Sequence, residues 1–130
     1  MLNKKIEAKV EDDRGQLIQV ISQSIWKQLN IITRKKGCLG GGHYHKRTHE
    51  FFYVQSGELI VKVYPLKNGN PSSYSFKKGD CFEVIPGEQH YMQFCKDTTL
   101  VVLYSESFDQ SHPDTFIQDN LPKLRDLFNE

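Results

Sequence analysis

The sequence predicts an all-β domain, an antiparallel sandwich or barrel with one helix at its C-terminal end. Apolar and polar residues alternate in several short runs, and Leu59, Val61 and Val63 would share one face of such a strand. Turn sequences such as Ser56-Gly57 and Pro86-Gly87 separate these runs at short intervals. Short strands that are regularly divided by turns are typical of sandwiches and barrels.

The predicted strands share this alternation or a high content of β-branched and aromatic residues. They cover residues 17–22, 29–33, 51–54, 58–64, 81–85, 91–95 and 99–104. At the C-terminal end, Pro122 suits the first turn of a helix, and apolar residues follow at helical spacing. We therefore expect a helix over about residues 121–129, packed against the outside of the sheets.

Length, charge and cysteine content narrow the class of protein. The chain has 130 residues, which fits a single domain over residues 1–130. A formal net charge of +1 gives no overall field that would attract nucleic acid or an anionic membrane. The longest apolar runs, such as Leu100–Tyr104, are too short to cross a bilayer. We therefore expect neither nucleic-acid nor membrane partners. The three cysteines form no CxxC pair and suggest no disulfide framework, so we expect a cytoplasmic protein.

Histidines are concentrated in one stretch, because His43, His45 and His49 lie within seven residues of a chain that has five histidines. Residues i and i+2 of a strand point to the same face, so His43 and His45 would project into one space. Glu50 opens the next predicted strand, and His90 precedes a later one. Three imidazoles and one carboxylate suit a divalent transition metal ion such as Zn, Ni, Mn or Fe. Coordination positions would remain for water or substrate.

The spacing of these residues resembles the two signature motifs of the cupin superfamily. The first run reads Gly37-x5-His43-x-His45-x4-Glu50-x6-Gly57, and the second reads Gly79-x5-Ile85-Pro86-Gly87-x2-His90. The resemblance covers about residues 29–105. It implies a small jelly-roll β-barrel of two sheets, with the metal inside one end and with His43, His45, Glu50 and His90 as its ligands.

Three further stretches are similar to cupins that act on nucleotide-activated sugars. They are Asp12-Asp-Arg-Gly-Gln-Leu17, Gly41-Gly-His-Tyr-His-Lys46, and Glu106-Ser-Phe-Asp109 followed by His112-Pro-Asp-Thr115. The last stretch resembles one branch in particular, the C-terminal cupin half of the capsular-polysaccharide enzyme that forms UDP-N-acetyl-fucosamine. Related families are the dTDP-4-keto-sugar 3,5-epimerases and 3,4-ketoisomerases.

This resemblance implies epimerisation or isomerisation of a 4-keto sugar through an enolate, in polysaccharide biosynthesis. If His43 is a metal ligand, the base must be another group. The candidates are His49, Tyr91 and a hydroxide bound to the metal ion. The family's arginine before the Gly-Gly-His segment is Gly40 here. We therefore expect Arg34, Lys36 or Arg47 to recognise an anionic sugar ligand at the mouth of the barrel. His112 is predicted to lie in a surface loop.

Other functions fit the same residues. Three histidines and one glutamate also suit iron and O2 chemistry, so a metal-dependent dioxygenase is an alternative. A non-catalytic sugar-binding module is a third interpretation. We also expect a homodimer formed through outer strands, because alternation along residues 51–54 places Phe51 and Tyr53 on the face away from the metal. That aromatic area could equally pack beneath the N-terminal strands or the C-terminal helix.

Overall fold

The computed structural model describes residues 2–22, 25–67 and 69–128, and confirms the predicted all-β fold with a short C-terminal helix. The strands in the described residues are β1 (Leu2–Lys4), β2 (Ala8–Asp12), β3 (Gly15–Gln19), β4 (Gln28–Arg34), β5 (Leu39–His43), β6 (Glu50–Ser56), β7 (Glu58–Pro65), β8 (Ser72–Lys77), β9 (Cys81–Val84), β10 (Glu88–Phe94) and β11 (Thr98–Tyr104). The helix is α1 (Leu124–Leu127).

Two antiparallel sheets form the barrel. One has the strand order β1-β9-β6-β11-β4 and the other has the order β5-β10-β7-β8. Their inward-facing side chains form one core cluster, to which Phe52, Val54 and Phe82 come from the first sheet and Val61 and Phe76 from the second. The ring of Phe82 stacks at 4.7 Å on Phe52 and at 4.3 Å on Phe76. This stack of three aromatic rings therefore joins the two sheets.

Strand alternation explains which residues enter this core. In β7, Leu59, Val61 and Val63 are fully buried, and the residues between them are partly exposed, as the sequence predicts. In β6, Phe51 lies on the outer face, yet it is only 2% exposed because Trp26 covers it at a ring distance of 6.2 Å. Phe51 therefore packs beneath the segment that precedes β4, rather than beneath the N-terminal strands or the C-terminal helix as considered from the sequence.

Several strands differ from those predicted. β8 has the sequence Ser-Ser-Tyr-Ser-Phe-Lys and β5 has Leu-Gly-Gly-Gly-His, and neither serine nor glycine has a high strand propensity. The strand predicted over residues 17–22 lies at Gly15–Gln19 instead. It pairs with β2 in a separate two-stranded hairpin, because the turn at Asp13-Arg14 brings β3 back antiparallel to β2.

The C-terminal helix is also shorter than the predicted range of 121–129. It comprises only Leu124–Leu127, since the backbone at Lys123 is extended and the carbonyl of Pro122 accepts a hydrogen bond from the hydroxyl of Tyr91 at 2.6 Å. Asn129, within the predicted range, lies outside the described residues. No helix in the described part of the chain is long and apolar enough to cross a membrane.

The segment that follows β11, residues 105–118, runs back over one end of the barrel, and we call it the strap. Its first part is held where the backbone N–H of Phe108 donates to the side-chain oxygen of Gln28 at 2.8 Å. Its second part forms an isolated antiparallel β-bridge, in which Phe116 and Tyr44 exchange backbone hydrogen bonds of 2.9 and 2.8 Å. The strap thus connects the edge strand β4 of one sheet with the end of β5 in the other.

Candidate metal centre

The four residues predicted as metal ligands lie together between the two sheets. His43 ends β5 and pairs directly with His90 of β10, in the four-stranded sheet. Glu50 begins β6 in the facing sheet, and His45 lies in the connection between β5 and β6. One potential ligand atom from each of the four residues lies within 4.8 Å of the others. The strand register therefore brings these side chains to one point.

A glycine permits the close backbone approach that this register needs. Gly41 has a φ of +81°, and a Cβ atom built there would lie 2.5 Å from the carbonyl oxygen of His90. The pairing of β5 with β10 shifts register between His90 and Tyr91, next to this contact. The glycine at this point of β5 thus permits the close approach of two strands.

Each imidazole in the cluster is oriented by a backbone carbonyl. His90 Nδ1 donates to the carbonyl of Glu88 at 3.2 Å, and a ring N–H of His43 donates to the carbonyl of Gly41. His45 Nδ1 donates to the carbonyl of Asp114 at 2.5 Å. A carbonyl can only accept, so a proton stays on that nitrogen and the other ring nitrogen faces the cluster. Such carbonyl contacts are typical of metal-binding histidines.

Glu50 and His45 form a buried hydrogen-bonded pair. Their side chains are 8% and 9% exposed, and His45 Nε2 lies 2.6 Å from Glu50 Oε1. Burial disfavours both charged forms, but their mutual hydrogen bond and attraction outweigh it. The pKa of His45 is therefore raised, and the pKa of Glu50 is lowered with further contributions from His90 and His43.

The other two imidazoles are neutral at neutral pH. Burial, reinforced by unfavourable electrostatic interactions with the imidazoles of His90 and His45, lowers the pKa of His43 to about 4. Burial also lowers the pKa of His90. Neutral imidazoles with a free ring nitrogen, next to an ionised carboxylate, are the form in which these residues bind metal. The donor set thus fits a divalent transition metal ion.

A cavity of about 460 Å³ opens from this cluster toward the strap. Its floor is apolar and is formed by Ile32, Phe52, Met92, Phe94 and Leu100. Polar and charged residues line the rest, and they come from β4, the end of β11, the loop after His45 and the strap. A cavity of this size, with an apolar floor and convergent polar groups, is typical of small-molecule binding sites.

Residues 10–116 match the family model described as the polysaccharide biosynthesis C-terminal domain. The chain belongs to this family. Among curated proteins, it is 28% identical over 110 residues to the oxalate decarboxylase OxdC of Bacillus subtilis, a match that covers 75% of this chain and 28% of OxdC.

Solved structures of low sequence identity share the fold of this chain. The capsular polysaccharide assembling protein CapF of Staphylococcus aureus superposes with a TM-score of 0.66 and 24% identity, over 85% of this chain and 32% of CapF. The sugar 3,4-ketoisomerase QdtA of Thermoanaerobacterium thermosaccharolyticum, in complex with TDP, gives 0.75 and 20%, over 92% and 88% of the two chains. The chain thus spans about a third of CapF and most of QdtA.

The structure separates the three basic residues predicted to bind substrate. Arg34 and Arg47 both line the cavity, from the end of β4 and from the loop after His45. Lys36 does not line it, and its backbone N–H donates to the side chain of Asp97 at 2.9 Å. Lys36 follows the end of β4 that pairs with Thr98, away from the strap, so it is not a ligand contact in this structure.

Neither residue predicted as a base reaches the cluster. Tyr91 follows His90 in β10, and alternation turns its side chain to the opposite face. There it is fully buried, and its hydroxyl donates to Pro122 and accepts from Gln89. His49 is exposed, and its backbone N–H donates to the hydroxyl of Ser105. We therefore withdraw Tyr91 and His49 as candidate acid or base groups.

Sequence reasoning missed a tyrosine in the cavity wall. Tyr104 ends β11 and pairs directly with Glu50 of β6. Its hydroxyl accepts a hydrogen bond of 3.4 Å from the amide of Asn30, and both residues line the cavity. Burial and the nearby charge of Glu50 raise the pKa of Tyr104 to about 12. The register of β6 with β11 would have been needed to find it.

His112, predicted on the surface, lies at the mouth of the cavity with its side chain 85% exposed.

The strap also contributes a carboxylate that was not singled out from the sequence. Both side-chain oxygens of Asp114 accept hydrogen bonds, from the backbone N–H groups of Lys46, Arg47 and Thr48 and from the Thr48 hydroxyl, at 2.8 to 2.9 Å. Partial burial raises the pKa of this carboxyl group, but the four donors outweigh that effect. They lower the pKa from 3.8 to about 2.

This shift predicts how acid affects stability. The folded form of Asp114 has the lower pKa, so its contribution is complete above about pH 4 and is lost as the pH falls toward 2. We expect the Asp114→Asn variant to lose stability at pH 7 and to resemble the wild type more closely near pH 2. Urea unfolding at several pH values measures this. A constant difference in stability between pH 7 and pH 2 would contradict the prediction.

Proposed function

We propose that residues 1–130 form a single metal-binding domain that acts on an anionic sugar, specifically a 4-keto sugar linked to a nucleotide. The supporting observation is the His43, His45, Glu50 and His90 cluster in the wall of a cavity that Arg34 and Arg47 also line. Guanidinium groups match phosphate oxygens in geometry and charge. The proposed reaction is epimerisation or isomerisation next to the ketone.

Each part of the cavity has a role in this proposal. A divalent ion held by the four ligands would supply a Lewis acid beside the keto oxygen. Arg34 and Arg47 bind the phosphate groups and so orient the sugar toward the cluster. The apolar floor, with Phe52 and Met92 at its centre, excludes water and contacts the nonpolar edge of the sugar ring.

Tyr104 is the proposed proton donor. Its pKa of about 12 keeps the hydroxyl protonated at neutral pH, and the hydroxyl already accepts from Asn30. Its own proton is therefore free to be donated to a carbon or oxygen of the bound sugar. A solvent water in the cavity would accept the proton next to the ketone, and Tyr104 Oη would donate its own proton to the enolate and be reprotonated by that water.

Deuterium exchange tests this proposal. The protein, loaded with Zn²⁺ or Mn²⁺, is incubated with a UDP- or dTDP-linked 4-keto sugar in D2O, and the sugar is examined by NMR and mass spectrometry. We expect deuterium at a carbon next to the ketone. Absence of uptake with metal bound would contradict the proposed reaction, and saturable binding without uptake would instead indicate a sugar-binding module.

A matched pair of tyrosine variants locates the proton donor. Tyr104→Phe removes only the hydroxyl, and we expect it to slow turnover by about 10²–10⁴-fold, which is typical for the loss of a general acid. Tyr74→Phe, at a partly buried tyrosine of β8 that does not line the cavity, is the control and should retain the wild-type rate.

We also propose that two copies of the chain associate through the outer face of the five-stranded sheet. β4 is the edge strand of that sheet, and its outward side chains Leu29 and Ile31 are 56% and 66% exposed. The β2–β3 hairpin pairs with no other strand in the described part of the chain and exposes Val10 and Leu17. Unpaired strand edges with exposed apolar residues favour pairing with another copy of the same chain.

A charge at Ile31 tests this association. We expect Ile31→Asp to convert a dimer of the 15.1 kDa chain to a monomer, because a carboxylate would be buried at the contact. Ser75→Asp, on an exposed position of β8 in the other sheet, is the control and should remain dimeric. Sedimentation velocity measures both, and a monomeric wild-type protein would contradict the proposed dimer.

A further inference from the structure

Three imidazoles in the cluster are oriented by backbone carbonyls, but only one of these carbonyls is remote in sequence. Gly41 and Glu88 each lie two residues before the histidine they contact, within the same strand. The carbonyl that accepts from His45 belongs to Asp114, which is 69 residues away in the strap. The orientation of His45 therefore depends on where the strap docks, whereas the orientations of His43 and His90 follow from strand geometry.

The same residue fixes the strap to the loop that carries His45. Three consecutive backbone N–H groups of this loop, from Lys46 to Thr48, point at the Asp114 carboxylate. The Thr48 hydroxyl donates to it as well, and Thr48 is only 7% exposed. Hydrogen bonds to a charged acceptor are stronger than those between neutral groups, so these four bonds hold the strap firmly to the loop.

Two parts of Asp114 thus act on one metal ligand. Its carboxylate holds residues 46–48, immediately after His45, and its carbonyl holds the Nδ1 proton of His45 itself. The bridge between Phe116 and Tyr44 fixes the chain on the other side, one residue before His45. A carbonyl acceptor at Nδ1 leaves Nε2 directed at Glu50 and the rest of the cluster.

The geometry points to Asp114 as the positioning residue of the metal centre: by docking the strap onto the His45 loop, it sets the ring orientation in which Nε2 of His45 can bind the ion. This inference rests on the proposed metal site. The strap that covers the cavity and the affinity for metal are then coupled through a single side chain.

Metal titration of matched variants tests this inference. Asp114→Asn removes the carboxylate but leaves the backbone carbonyl, and Asp119→Asn makes the same change of charge at an exposed position further along the chain. Co²⁺ is the probe, with its affinity measured by chelator competition and its coordination by visible absorption. We expect Asp114→Asn to bind Co²⁺ about 10–100-fold more weakly, the usual effect of losing a group that orients a ligand, and Asp119→Asn to match the wild type.

A folded Asp114→Asn variant with wild-type Co²⁺ affinity and spectrum would overturn the inference. If that variant does not fold, Thr48→Val, which removes one of the four hydrogen bonds, is titrated instead. A severalfold weaker affinity is then expected, and an unchanged one would overturn the inference.

A readout without metal separates this inference from the proposed function. In the wild type, the Nδ1 proton of His45 is buried and hydrogen-bonded, so it should give a slowly exchanging ¹H–¹⁵N signal. We expect this signal to be lost or broadened by exchange in Asp114→Asn and to persist in Asp119→Asn. Persistence in Asp114→Asn would overturn the positioning role. Failure of the wild type to bind Co²⁺ or Zn²⁺ would overturn the metal site alone.

Discussion

Replacing Glu50 with glutamine should weaken Zn²⁺ binding by at least about a hundredfold, the upper end of the loss seen for residues that only support a ligand. Glu50 supplies the negative charge among three imidazoles, and its Oε1 lies 2.6 Å from His45 Nε2 and 3.5 Å from His90 Nε2. An amide of nearly the same size keeps the packing but loses the charge that would offset a divalent cation. The effect should therefore appear in affinity more than in folding.

Competition with a chromophoric chelator measures the Zn²⁺ affinity of this variant. Glu58→Gln is the matched control, because Glu58 lies at the start of β7 and its ion pair with Lys96 is remote from the cluster. Circular dichroism establishes that both variants are folded. A Glu50→Gln protein that binds Zn²⁺ within twofold of the wild type would show that these four residues are not the ligands.

The second large effect is expected at Gly41. An alanine there would require a φ of +81° and would bring its Cβ to 2.5 Å from the carbonyl oxygen of His90. The backbone conformation alone costs about 1–3 kcal/mol for a residue other than glycine. The contact is with backbone of β10, which cannot rotate away, so β5 and β10 must separate. We expect Gly41→Ala to lower the free energy of unfolding by more than about 3 kcal/mol.

A second glycine separates the two contributions. Gly37 has a similar φ of +89°, but no atom of the described residues lies within 4 Å of a Cβ built there. Gly37→Ala should therefore show the conformational cost without the steric one, and urea unfolding compares the two variants. Equal losses of stability would mean that the contact with His90 contributes nothing. Since His43 and His90 pair across this point, Gly41→Ala should also weaken Zn²⁺ binding.

The sequence predicted most of the barrel because its inner strands follow a simple rule. Alternation in β7 identifies Leu59, Val61 and Val63 as buried, and the same period places His43 and Glu50 on inward faces. The spacing of the histidines and glutamate then located the cluster. Alternation did not predict β5 and β8, since their glycine and serine residues are as typical of loops as of strands.

Contacts between distant segments could not be predicted in the same way. Tyr91 and His49 each neighbour a ligand in the chain, yet Tyr91 faces the opposite side of β10 and His49 lies exposed in the loop before β6. Tyr104 and Asp114 reach the site through strand register and strap docking, over separations of 54 residues from Glu50 and 69 from His45. Neither separation leaves a periodic signal in the sequence.

The origin of the four candidate ligands has a thermodynamic consequence. Glu50 belongs to the five-stranded sheet, whereas His43 and His90 belong to the four-stranded one. An ion bound by all four would cross-link the two halves of the barrel, in parallel with the aromatic stack around Phe82. Free energy of ion binding would then become free energy of folding, so that the stability of the domain rises with the logarithm of the free ion concentration above the dissociation constant.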